Sequence, residues 1–235
     1  MGWNMKDLVI VGTGGVGKET ALIVEDINEI SQEWNLLGFI DDNKELIGKE
    51  INGYKVLGDR EFLNNFDKEV YVVIAIADHC IKEELVQYLT NKNIQYATLI
   101  HPSVKINRSI SIGKGCIIYQ NVIMTVNINI GNNVIISPKC GIGHDSIIKD
   151  YVSLLWNVNV SGNDIIEEGV MMGSGSTVIQ GKKIGKASIV GAGAVVIKDV
   201  DIYSTVVGVP AKTIKVDYER REREYEESLI CNNCK

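Results

Sequence analysis

Proline and large rings are scarce in this chain. Its 235 residues include three prolines and three phenylalanines, and aromatics make up only 6%. Collagen-like and proline-rich classes are thereby excluded, and the core must be packed from small aliphatics. No apolar run approaches the length needed to cross a bilayer, so membrane insertion is not expected. The N-terminal Met1-Gly2-Trp3-Asn4-Met5-Lys6 has no apolar signal core and lacks the Ser/Thr of a myristoylation site. A cytoplasmic protein is expected. Positive charge is in deficit, with 24 Lys+Arg against 30 Asp+Glu, net −6. That balance argues against nucleic acid as a partner. The five cysteines are an odd set without a secretion signal, which argues against a disulfide framework. Cys231 and Cys234 form one Cys-x-x-Cys. A structural zinc needs four ligands and there is no second such pair, so no metal is expected.

Glycine is plentiful, with 23 residues. The first hundred residues alternate strand and helix signals. Asp7–Val11 is a short apolar run ending in a Gly-rich turn, as in a buried parallel strand. Residues 17–30 show helical spacing, with Ala21, Val24 and Ile27 on one face. Leu36–Ile40 and Val70–Ile76 read as strands, Ile81–Leu89 as a helix with Leu85, Tyr88 and Leu89 inward, and Gln95–Leu99 as an edge strand. This alternation predicts an α/β unit with a parallel sheet of three or four strands.

Beyond residue 100 the pattern changes to a period of six. Ile106, Ile112, Ile118, Met124, Ile130, Ile136, Ile142, Ile148, Leu154, Val160, Ile166, Met172, Val178, Ile184, Val190, Val196 and Ile202 are all aliphatic or Met. Chance would give this about once in a million at this apolar content. Two residues before many of them stands a small or β-branched residue, such as Cys116, Cys140, Ser146, Ser176, Ser188 or Ala194. One position earlier stands Gly, Asn or Asp, as at Gly115, Asn121, Asn133, Asp145, Gly175 and Asp199. Those types tolerate left-handed backbone angles. Such a hexad repeat predicts an all-β parallel β-helix, three hexads to a triangular coil. Five to six coils at about 4.8 Å each make a prism about 27 Å tall. The repeat ends at Val207-Gly208-Val209-Pro210-Ala211-Lys212, and a tail dense in Glu and Arg follows. Three segments are expected: 1–99, 100–214 and a charged C-terminal tail, 215–235.

Two places could carry chemistry. Gly12-Thr13-Gly14-Gly15-Val16-Gly17 joins a strand to a helix, where glycines let the backbone approach a diphosphate resting on the helix N-terminus. Asp41 and Asp42 end the second strand, where a nucleoside hydroxyl would be gripped. The alternatives are a tight turn without ligand and a helix cap. Among three histidines, only His144 lies inside the repeat. It is expected near a corner, pointing outward, beside Asp145, which could orient the ring for general-base work. His101 is expected to fix the junction between the two units, and His79 to start a helix.

The hexads, together with Val11–Glu19, Gly38-Phe39-Ile40-Asp41-Asp42, Ile74-Ala75-Ile76, Ile100-His101-Pro102-Ser103 and Gly143-His144-Asp145, resemble one family. It is the left-handed β-helix sugar O-/N-acetyltransferases, which act on sialic acid, UDP-bacillosamine precursors or perosamine. The likeness spans roughly residues 6–214. It implies a Rossmann-like N-terminal domain that holds a nucleotide-sugar, followed by a left-handed parallel β-helix that holds acetyl-CoA. It also implies a homotrimer with active sites at subunit interfaces. Carried over by position, the catalytic pair falls on His144 and Asp145, and substrate binding on Gly14, Gly15, Val16, Gly17, Asp41 and Asp42. Coenzyme contacts fall on Ser153, Gly162, Ser174 and Ala192. The chain departs from some members at Ser153 and Val16, where they have histidines. The expected activity is acetyl-CoA-dependent N-acetylation of a nucleotide-linked 4-amino-4,6-dideoxy sugar. O-acetylation of a sugar hydroxyl and a non-catalytic scaffold remain the alternatives.

Overall fold

The computed structural model describes residues 5–219. Cys231, Cys234 and most of the charged tail lie outside the described residues. The N-terminal unit is built on β1 (Lys6–Val11), β2 (Trp34–Ile40), β3 (Glu50–Ile51), β4 (Tyr54–Gly58), β5 (Val70–Ile74) and β6 (Ile94–Tyr96). They form one six-stranded sheet in the order β3-β4-β2-β1-β5-β6. Only the β3–β4 pair is antiparallel. The sheet is larger than the three or four strands expected from sequence. The missed strands are the short hairpin partner β3 and β4, whose residues Tyr54-Lys55-Val56-Leu57-Gly58 are too polar to read as a buried run; β4 is the one that joins the parallel sheet. It is recruited by parallel pairing, Phe39 opposite Val56.

Helices α1 (Gly15–Ser31), α2 (Arg60–Asn64) and α3 (His79–Tyr88) flank the sheet. α1 buries Ala21, Ile23, Val24 and Ile27, one apolar stripe at helical spacing. α3 departs from expectation. Leu85 and Leu89 face inward, but Tyr88 is 37% exposed and donates its hydroxyl to Glu61. The inward place is taken by Lys82, which is fully buried.

From Leu99 onward the chain winds as a left-handed parallel β-helix. Partners pair in register every 18 residues: Ile117, Ile135, Ser153, Met171 and Ile189 stack in one column. Three hexads therefore close each coil, and the coils make three faces. The first, here called the docked face, runs through Leu99–Ile100, Ile117–Ile118, Ile135–Ile136, Ser153–Leu154, Met171–Met172 and Ile189–Val190. The second runs through Ile123–Met124, Gly141–Ile142, Asn159–Val160, Thr177–Val178 and Val195–Val196. The third runs from Ile110–Ile112 to Lys183–Ile184. From Ile118 to Val196 every hexad aliphatic is buried, none more than 8% exposed. Each contributes about 1.5–3 kcal/mol by leaving water. The pattern decays at the ends, where Ile106 is 41% exposed because no coil covers it.

The corners fall in left-handed backbone with φ between 52° and 73°. Asn, Asp and Gly hold most of them, but Lys139, Tyr151 and Ala187 are forced into the same conformation by the register. Asp199 does not adopt it, because the repeat is ending there. Past the last coil, Ser204–Val207 joins the docked face and Lys212–Val216 turns back antiparallel against it.

The N-terminal unit packs on the docked face. Ile117, Tyr119 and Ile135 share a core with α1 and β1. The Tyr119 hydroxyl donates to the Val16 carbonyl at 3.1 Å. His101 Nε2 lies 3.1 Å from Asp26 Oδ2 on α1, so it ties the two units together as expected. Lys82 reaches across as well, donating to the Asn133 carbonyl and to Ser153 Oγ, both at 3.0 Å.

Candidate active site

His144 and Asp145 stand at the corner between the second and third faces. The hexad Ile142-Gly143-His144 places Ile142 in the core, and the turn that follows throws the imidazole outward. Asp145 adopts φ 59° there, which aims its carboxylate back at the ring. His144 Nδ1 lies 2.7 Å from Asp145 Oδ2. An ionised carboxylate only accepts, so Nδ1 carries the proton and Nε2 keeps its lone pair. Asn127, exactly one coil earlier, donates to Asp145 Oδ1 at 2.9 Å. The Asn127 amide first, then His144, hold the Asp145 carboxyl below the usual carboxylate range. Asp145 is thus ionised and fixed at neutral pH, and the arrangement suits a base that takes a proton at Nε2.

Gly162 lies one coil beyond His144, directly against the ring. A Cβ there would stand 2.5 Å from Nε2 and 2.6 Å from Cε1. Only a residue without a side chain leaves the imidazole in place. Neither Asn127 nor this role of Gly162 was seen in the sequence. The signal was the 18-residue interval that makes 127, 145 and 163, or 144 and 162, stacked neighbours.

Two carried-over coenzyme positions, Ser174 and Ala192, are exposed and stack 18 residues apart at a different corner, between the docked and second faces. Beside them, Gly175 and Gly193 have φ 71° and 68° and open space where a side chain would go. Ser153 is corrected. It is fully buried on the docked face, donates to the Ala77 carbonyl and accepts from Lys82. Its hydroxyl is spent holding the two units together, so it is not a coenzyme contact.

In the N-terminal unit, Gly14 caps α1 without a side-chain partner, and Gly14 and Gly15 have open space around them. The helix N-terminus thus presents bare N–H groups. Gly17 is there for packing, since a Cβ would collide with the Gly12 carbonyl. Val16 is held by its carbonyl, which accepts from Tyr119 and from Thr20. Asp41 braces the loop, accepting from the Thr13 amide at 3.0 Å and from its hydroxyl. Asp42 pairs with Arg60, whose Nε donates at 2.8 Å. The Arg60 guanidinium holds its carboxyl below the usual range. Both acids line a pocket of about 110 Å³ with Gly12, Ile40 and Ile76, at the carboxyl ends of β1, β2 and β5. That is where open α/β sheets bind ligands.

The chain matches the PglD N-terminal domain over residues 7–89. It is 33% identical to the GDP-perosamine N-acetyltransferase of Escherichia coli O157:H7 over 187 residues, 78% of this chain and 82% of the relative. The chain belongs to the left-handed β-helix sugar acetyltransferases. As a member it is an acetyl-CoA-dependent acetyltransferase, which removes the scaffold alternative. The acetyltransferase domain of PglB from Neisseria gonorrhoeae FA1090, in complex with acetyl coenzyme A, superposes with a TM-score of 0.82 at 25% identity, covering 90% of this chain and all of the other. WeeI from Acinetobacter baumannii AYE superposes at 0.81 with 31% identity, over 89% of this chain and all of the other. No helix among the described residues is long and apolar enough to cross a membrane.

Proposed function

We propose that this acetyltransferase moves the acetyl group of acetyl-CoA onto the amino group of a nucleotide-linked 4-amino-4,6-dideoxy sugar, with His144 as general base. The observation that carries the reading is the 2.7 Å His144–Asp145 pair, which leaves Nε2 as an acceptor on an exposed corner. The sugar amine attacks the thioester carbonyl carbon. As the C–N bond forms, Nε2 takes a proton from the nitrogen. The tetrahedral intermediate then collapses, the C–S bond breaks, and CoA leaves as the thiol by regaining that proton. Asp145 keeps the ring in the right tautomer and stabilises the imidazolium, as an acid does in triad logic. No step needs a metal.

Residues 1–99 bind the nucleotide-sugar, its diphosphate on the N–H groups of Gly14–Gly17 and its nucleoside near Asp41 and Asp42. Residues 100–214 bind acetyl-CoA, with Gly162, Ser174 and Ala192 at the prism wall. Within one chain, the Gly loop is bonded to the docked face through Tyr119. The His144 corner is the one opposite that face. One protomer's sugar therefore reaches His144 of another, and the working unit is a homotrimer in the cytoplasm. The exposed apolar side chains near that corner and the second face, Ile123, Val126, Trp156 and Ile179, fit burial by a neighbouring copy. The amine, rather than a hydroxyl, is favoured as nucleophile because the Escherichia coli relative is an N-acetyltransferase.

The test is a thiol-release assay with UDP-, dTDP- and GDP-linked 4-amino sugars set against free sialic acid. Turnover with an amino-sugar nucleotide is expected. Release with sialic acid alone would overturn the reading.

A further inference from the structure

The His144 corner is tied by side chains to the coils before it. Positions 109, 127 and 145 stack at the 18-residue interval of the prism. Asn107 Oδ1 accepts from the Ser109 backbone N–H at 2.9 Å and from its hydroxyl at 2.7 Å. Ser109 Oγ accepts from the Asn127 backbone N–H at 3.0 Å. Asn127 Nδ2 donates to Asp145 Oδ1 at 2.9 Å, and Asp145 Oδ2 accepts from His144 Nδ1. An unbroken run of hydrogen bonds therefore leads along one edge of the prism from Asn107 to the imidazole. Left-handed backbone alone does not account for Asn127. Asn121, Asn133, Asn157 and Asn163 stand at other corners with φ between 54° and 60°, as Asn127 does at 55°, and asparagine suits all five because it tolerates that conformation. Among the described residues, Asn127 is the only one of these corner asparagines whose side-chain amide donates a hydrogen bond, and its acceptor is the acid beside His144.

The Asp145 side chain is 44% exposed, so packing does not fix its rotamer. With the bond to His144 alone, the carboxylate could turn toward water and exchange its oxygens. The amide of Asn127 holds Oδ1, which leaves Oδ2 aimed at the ring, and Ser109 in turn fixes the backbone that carries the amide. We propose that Asn127 is a positioning residue for acetyl transfer: its amide clamps Asp145, and through Asp145 it holds the His144 imidazole where Nε2 can take the proton of the attacking amine. The proposal rests on the reading of His144 as general base. Asn127 touches neither substrate in this account. It acts only through the acid, which separates it from a corner residue that merely shapes the coil.

The test is a mutant cycle on the full chain, read by thiol release with acetyl-CoA and whichever of the UDP-, dTDP- and GDP-linked 4-amino sugars turns over fastest. Asn127→Gly removes the amide and suits the left-handed backbone. Its kcat should fall about tenfold or more, with KM for both substrates little changed, the pattern of an interaction felt in the transition state. Asn127→Asp keeps the shape and the backbone tolerance but replaces the donor with an acceptor facing Asp145 Oδ1. It should lose turnover as well, whereas a purely structural corner would accept it. In an Asp145→Gly background, Asn127→Gly should lower kcat no further, because the residue through which it acts is gone. A kcat within about twofold of wild type for either single variant would overturn the proposal. So would an equal fold loss in the presence and absence of Asp145. Should the glycine variant fail to fold, Asn127→Asp decides, alone and in the Asp145→Gly background. His144→Ala run alongside separates the two readings. If it retains turnover, the base assignment falls and this proposal with it; if it is inactive while the Asn127 variants are unimpaired, only this proposal falls.

Discussion

Gly162→Ala isolates what the prism does for catalysis. The backbone at Gly162 is not in the left-handed region, so alanine fits it without strain. Its new Cβ would stand 2.5 Å from His144 Nε2, 2.6 Å from Cε1 and 2.9 Å from Cδ2. Non-bonded atoms settle at about 3.5 Å or more, so the imidazole must move outward by about 1 Å. The ring is about half exposed, with solvent on its outer side to move into, so stability should change by less than about 0.5 kcal/mol. The motion carries Nε2 off the line of the attacking amine and strains the 2.7 Å bond to Asp145. A 1 Å misplacement costs on the order of 100-fold in rate, which is about 2.7 kcal/mol of barrier. The assay is thiol release at saturating acetyl-CoA and acceptor, with unfolding measured in parallel. A fall in kcat with an unchanged unfolding midpoint is expected. Because Gly162 is also proposed to touch the coenzyme, KM for acetyl-CoA separates the two roles. A variant whose kcat stays within twofold of wild type would refute the argument that Gly162 holds the base in place.

Other expectations concern buried charge and forced backbone. Burial lowers the Lys82 amine to about 7, so between about pH 7 and 10 the unfolded chain holds a proton that the folded chain has shed. Unfolding free energy should therefore rise with pH across that window. Lys82→Met should flatten the slope in denaturant titrations, and an unchanged slope would contradict the assignment. Asp164 is fully buried at the His144 corner. Its Oδ1 accepts from the Lys182 amide, and its Oδ2 has no partner. Desolvation raises it to about 6, so it weakens the fold as pH climbs through 6. Asp164→Asn should gain about 1–3 kcal/mol at pH 8 and nothing below pH 4. Lys139 is exposed and sits at φ 62°, so Lys139→Gly should stabilise by about 1 kcal/mol in urea unfolding.

The prism was legible because its rule is local. Each inward aliphatic from Ile118 to Val196 faces the same surroundings one coil later, so a period of six in the sequence is a period of one face in space. The ends were less legible, since Ile106 keeps the phase but has no coil to cover it. In the sheet unit β4 was missed because pairing with β2, not its own apolarity, makes it a strand. Lys82 was missed because a lysine at an inward helical position reads as solvated until its partners, Asn133 and Ser153, are seen 51 and 71 residues away. Ser153 was misplaced for the same reason: its position in the repeat tells which face it is on, not what that face packs against. His144 and Asp145 were legible as neighbours in sequence, whereas Asn127 and Gly162, which hold them, emerge only once three hexads are known to make a coil.

The most direct test is the turnover number of His144→Ala with both substrates saturating. Loss of a general base should lower kcat by about 100- to 10,000-fold, with circular dichroism and elution volume unchanged, because the side chain is exposed. Turnover within tenfold of wild type would show that the proton leaves the amine by another route, and the assignment of the base would fall.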